Sequence, residues 1–141
     1  MIIRNPAFGR FAPVVLALAL AFAFVAPRVF ARLVLNTIDP VATIADHGNH
    51  VIVTGPIQCD LVQWVDLRVT LTQRSTGAVA EGRLHFLGNP DIRQWTVVAA
   101  VNGAIDFEEG EATAVALAVS KVNGQADDAH QWLVNVDLVA E

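Results

Sequence analysis

From residue 41 onward apolar side chains recur at every second position, and segments rich in valine, threonine and leucine repeat this alternation to the end of the chain. A period of two marks strands with one buried face, so the chain reads as all-β. Val41 to Ala45 and His50 to Thr54 predict a hairpin around Asp46-His47-Gly48-Asn49, residues that tolerate positive φ and hydrogen-bond locally. Gly55-Pro56 is expected to end the second strand, because proline cannot donate to a ladder.

A long strand is predicted from Gln63 to Gln73, with Val65, Leu67, Val69 and Leu71 on one face and Asp66, Arg68, Thr70 and Thr72 on the other. After the turn Arg74-Ser75-Thr76-Gly77, the return strand aligns Ala78, Ala80, Gly82, Leu84 and Phe86 against Val79, Glu81, Arg83 and His85. Gly88-Asn89-Pro90-Asp91 breaks the chain before a strand from Gln94 to Val101, and Asn102-Gly103 is a turn signal. Ala104 to Phe107 is expected as a short strand. Ala112 to Ser120 is read as a strand from Val115, Leu117 and Val119 in phase, although its alanines would also allow a helix. After Asn123-Gly124 and a polar loop to Asp128, the last strand, His130 to Val139, aligns Trp132, Val134, Val136 and Leu138.

Seven or eight short strands in one domain, residues 32–141, predict an antiparallel immunoglobulin-like β-sandwich, with a small barrel as the alternative. The cysteine pair and tyrosine corner of antibody-type domains are absent, since the chain has one cysteine and no tyrosine.

Before the first strand the pattern changes. Arg4 and Arg10 precede twelve apolar residues, Val14 to Val25, followed by Pro27, which is the plan of a secretory signal peptide. Twelve helical residues rise only about 18 Å against roughly 30 Å of bilayer hydrocarbon, which favours export and cleavage over a stable span. Residues 1–31 are therefore expected as a signal peptide, cut after Ala31, with an uncleaved anchor as the alternative because Arg28 and Arg32 resist translocation. The expected location is secreted, periplasmic or cell-surface.

The remaining chain carries six basic and fourteen acidic residues, a net charge of −8. That field repels phosphate backbones and anionic lipids, so nucleic acid is not an expected partner, and membrane contact is expected only through residues 1–31 if they are uncleaved. The lone Cys59 has no partner in the chain and is expected as a small buried hydrophobe.

Every tryptophan follows a glutamine: Gln63-Trp64, Gln94-Trp95 and Gln131-Trp132. The spacings of 31 and 37 and the adjoining residues do not fit a trefoil lectin repeat. Parity separates the three. Trp95 and Trp132 share a face with the aliphatic residues of their strands and are expected in the core, whereas Trp64 shares parity with Asp66, Arg68, Thr70 and Thr72. Either a bulge turns Trp64 inward, or it is exposed and is the candidate contact for a protein partner or a surface glycan.

Other chemistry is thinner. His47 and His50 beside Asp46 need His85 or His130 to complete a zinc or copper set. Asp106, Glu108, Glu109 and Glu111 are the candidates for calcium, without the spacing of an EF-hand loop. Ser75 and Ser120 lack a nucleophile setting, and Cys59 has no histidine adjacent in sequence. No catalytic residue and no cofactor are expected.

The stretches TGPIQC (54–59), VTLTQRSTGAVAEG (69–82) and RQWTVVA (93–99) resemble segments of small, mostly uncharacterised exported bacterial β-sandwich proteins. The resemblance implies an immunoglobulin-like fold behind a signal peptide and carries no catalytic residue. Such proteins often pair cysteines, which this chain cannot do internally. The expectation is an exported, non-catalytic interaction or structural module; the alternative is a domain binding carbohydrate or calcium.

Overall fold

The computed structural model describes residues 32–141, so the expected signal peptide lies outside the described residues. Eight strands follow in chain order: β1 (Leu33–Asn36), β2 (Val41–Ala45), β3 (His50–Cys59), β4 (Gln63–Gln73), β5 (Ala78–Gly88), β6 (Arg93–Val101), β7 (Gly110–Val122) and β8 (Gln125–Ala140). Among the described residues the only helical turn is the 3-10 turn Asp46–Gly48, and no helix is long and apolar enough to cross a membrane.

The expected sandwich is not what forms. Seven strands close into a β-barrel in the order β3, β2, β8, β7, β4, β5, β6 and back to β3, with β1 added beside the second half of β3. The decisive contacts are between edges. β2 pairs parallel with β8, Val41 opposite Asp137, and β6 pairs with β3 from His50 opposite Ala100 to Ile57 opposite Arg93. Alternation is the same in a sandwich and a barrel, because both bury one face of each strand, so only these edge pairings distinguish them.

Closure is thinnest between β5 and β6, which are laddered only at Ala80–Val101 and Glu81–Ala100. Gly82 makes the approach possible: a Cβ there would lie 2.4 Å from Val97 Cγ1 and 2.8 Å from the Val98 carbonyl oxygen. Beyond Gly82 the two strands splay, leaving the inward Leu84 and Phe86 half-buried.

Strand limits differ from expectation where neighbours override local signals. Gly55-Pro56 does not stop β3. Pro56 presents its backbone to the Thr37–Pro40 crossover, where its carbonyl accepts the Thr37 N–H and no ladder needs a proline donor. Residues 104–107 form no strand. Phe107 is buried there, and its N–H donates to the Gly48 carbonyl. The polar stretch after Asn123-Gly124 is not a loop, since β8 starts at Gln125 and ladders against β7 from Val122. The turn itself has φ of 51° at Asn123 and 77° at Gly124, as an Asn-Gly hairpin requires.

The core is the barrel interior. Val65, Leu67, Val69 and Leu71 of β4 point inward, and their partners across the ladder on β7 are Ser120, Ala118, Ala116 and Ala114. Bulky residues beside small ones fill the tapering interior. The inward face of β7 is thus the alanine face, while Val115, Leu117 and Val119, which marked it as a strand, face out. Trp95 is buried at 3 % exposure, and Trp132 packs half-buried against the same core, as parity predicted for both.

Candidate contact face

The outer wall of β4, β5 and β7 gathers aromatic, charged and aliphatic side chains on one face. Alternation on β4 turns Val65 inward at 0 % exposure and leaves Trp64 outward at 49 %. No bulge corrects Trp64, because the β4–β5 ladder runs unbroken from Gln63–Gly88 to Gln73–Ala78. Its glutamine takes the opposite side: Gln63 is buried, and its amide finds no good hydrogen-bond partner.

The register assembles the rest. Asp66 sits directly opposite His85, and Trp64 is diagonal to His85 on the same face. The Trp64 and His85 rings stack with centroids 4.7 Å apart and planes 7° apart. His85 Nδ1 bonds to Asp66 Oδ1, and Lys121 of β7 reaches Asp66 Oδ2. Lys121 first and His85 second favour the ionised carboxylate and hold the Asp66 pKa below its usual range.

A second ion group lies further along the wall. Arg68 and Arg83 are directly opposite, an unfavourable like-charge pair, and Glu81 sits between them. Its carboxylate accepts from Arg68 Nη2 at 2.5 Å and from Arg83 Nη2 and Nε at 3.1 Å each. The two guanidiniums, Arg68 foremost, hold the Glu81 pKa below its usual range. Between the two ion groups, Asp66, Arg68, Arg83, His85, Leu117 and Val119 rim a shallow hollow of about 530 Å³. The face therefore combines an exposed indole, outward aliphatic side chains and paired charges with one guanidinium in excess.

The metal candidates are not brought together. Among the described residues no group of three or more His, Cys, Asp or Glu side chains is arranged to hold a metal. His47 and His50 stay with Asp46 at one barrel end, His85 stacks on Trp64, and His130 lies 3.4 Å from Asp128. The calcium candidates also separate. The backbone of Glu108 is bound by buried Gln73, Glu109 Oε1 accepts the Ala140 N–H at 3.0 Å, Asp106 packs beside Gly48, and Glu111 lies in the β7–β8 ladder. Cys59 is buried. Desolvation pushes its thiol pKa up, and Asp60 adds to that, against the opposing influence of the nearby Gln63 amide.

With Trp64 singled out by parity, His85 was within reach of the same reading. The four-residue turn Arg74–Gly77 fixes the β4–β5 register, which puts Asp66 opposite His85. Lys121, Leu117 and Val119 were not, since they arrive through the non-local β4–β7 pairing.

No family model matches the chain. No curated protein matches it either.

Proposed function

We propose that this chain is an exported, non-catalytic interaction module of the cell surface or periplasm that engages a protein partner through the outer wall of β4, β5 and β7. The observation that carries the reading is the outward, half-exposed Trp64, braced by His85 and continued along the wall by outward Leu117 and Val119. Aromatic anchors held in one orientation lose little entropy on binding and dominate contact energies. Packing alanine inward and leucine and valine outward on β7 leaves apolar surface that a partner would cover.

A surface glycan is the second reading, favoured by the flat indole beside the polar groups Asp66 and Lys121. Calcium binding receives no support from the dispersed carboxylates.

The test is capture from envelope extract with the exported protein and three variants. Trp64→Ala and Leu117→Ser should lose the same partner, while Val98→Ser, an outward residue of β6 at 56 % exposure, should keep it. A partner retained by both wall variants would sink the reading. Glycan-array binding abolished by Trp64→Ala, with no protein captured, would move it to the second.

A further inference from the structure

Side chains on the outer wall fall into rows, because directly opposite partners in a ladder face the same way. One row runs Arg83, Arg68, Leu117 and Gln131 across β5, β4, β7 and β8, and the row beside it runs Glu81, Thr70, Val115 and Leu133. Each row is charged on the β5 side and apolar on β7. Both sides are open: the Arg83 side chain is 72 % exposed, and Leu117 is 37 % exposed.

The charged side is unbalanced. Arg68 and Arg83 repel each other across the ladder, and the single Glu81 carboxylate serves both guanidiniums. Either arginine alone would neutralise Glu81; the second adds a repulsion that a carboxylate from outside would relieve. Around the hollow, Arg68, Arg83 and Lys121 stand against Asp66 and Glu81. The rest of residues 32–141 holds three basic and twelve acidic residues. Positive charge is thus in excess on the face that carries Trp64, while the charge elsewhere repels an acidic partner and steers it to this wall.

We propose that the wall takes an extended acidic peptide segment of its protein partner, with a carboxylate between Arg83 and Arg68 and a large apolar side chain over Leu117 and Val119. This rests on the wall contact proposed above and names its chemistry. A guanidinium presents a planar fork that matches a carboxylate, so the excess charge also has a preferred geometry. Adjacent strands lie about 4.8 Å apart, which puts Arg83 and Leu117, two strands apart, roughly 10 Å from each other. A polyproline II segment crossing the strands returns a side chain to the same side every three residues, after about 9 Å. The acidic and apolar residues of the segment therefore stand about three positions apart.

The test pans a displayed library of random peptides against the full chain, then measures affinities of the selected peptides after synthesis. Peptides that need Trp64 and Leu117 should carry an aspartate or glutamate about three positions from a large apolar residue. Replacing that acid by its amide, or making Arg83→Gln in the protein, should each weaken binding about tenfold or more. The two changes together should add little further, since they remove one contact. Arg68→Gln should act in the same direction, Val98→Ser should change nothing, and Arg83→Glu should select lysine or arginine in place of the acid. Peptides that lose binding in Trp64→Ala but are indifferent to Arg83→Gln would overturn the inference and leave the wall contact standing. Peptides indifferent to both substitutions would place the contact elsewhere and overturn both. A library from which no peptide is selected, or an acidic glycan held through Arg83 in place of peptide, would overturn the inference alone.

Discussion

Trp64 and His85 lie face to face on the outside of the barrel, 4.7 Å between ring centroids and 7° between planes. The stack shields one side of the indole and leaves Trp64 half-exposed, unlike Trp95 at 3 % exposure. Acrylamide quenching of the native protein should therefore resolve a readily accessible indole among the three. Trp64→Phe should remove that component. Three equally shielded indoles would contradict the outward placement.

Asp66→Asn tests the ion group beneath the stack. The folded pKa of Asp66 is depressed by Lys121 and His85, so its contribution to stability is full above the usual carboxylate range and is lost as pH falls through the folded pKa. The group is partly exposed to solvent, which limits the effect to about 1 kcal/mol or less. Denaturant titrations should find Asp66→Asn slightly less stable at neutral pH and converging with the wild type in acid.

Gln73 is a buried tie between the β4–β5 turn and the 104–109 loop. Its Nε2 donates to the Glu108 carbonyl at 2.7 Å, and its Oε1 accepts from the Glu108 N–H at 2.9 Å and the Thr76 hydroxyl at 3.0 Å. Gln73→Leu leaves those groups without their partner and should destabilise by about 1–3 kcal/mol. Hydrogen exchange should accelerate at Glu108 and Phe107 before it does in the β4 core.

Gly82→Ala addresses closure of the barrel. The added methyl meets Val97 Cγ1 at 2.4 Å and the Val98 carbonyl at 2.8 Å, so β5 and β6 must separate. Overpacking of this kind costs about 1–3 kcal/mol. Exchange protection should fall selectively at the Ala80–Val101 and Glu81–Ala100 pairs.

Cys59 should be chemically quiet. Burial raises its thiol pKa, so little thiolate forms near neutrality and reagent cannot reach it. The native protein should react with a thiol-specific disulfide reagent far more slowly than the unfolded chain, and comparable rates would contradict the burial.

Much of the β4–β5 hairpin was legible in the sequence. Alternation assigned the faces of both strands and the Arg74–Gly77 turn fixed their register, which puts Trp64 on the side of Asp66 and His85; the unbroken β4–β5 ladder then excluded the bulge that would have turned it inward. The same rules failed on β7, where hydrophobicity drew attention to Val115, Leu117 and Val119 while the interior took the alanines. Side-chain size on that strand answers to Leu67, Val69 and Leu71 of β4, which lie far away in sequence.

By itself, the sequence determined most of the strands, the faces of most of them and the burial of Trp95, and it narrowed Trp64 to an exposed position or a bulge, because each depends on alternation within a few residues. Closure of seven strands into a barrel, extension of β3 through Pro56, delivery of Lys121 to Asp66 and the alignment of Arg68 with Leu117 were decided by tertiary structure. These depend on which strand edges meet, and backbone hydrogen bonds between edges carry no residue code that a single strand can announce.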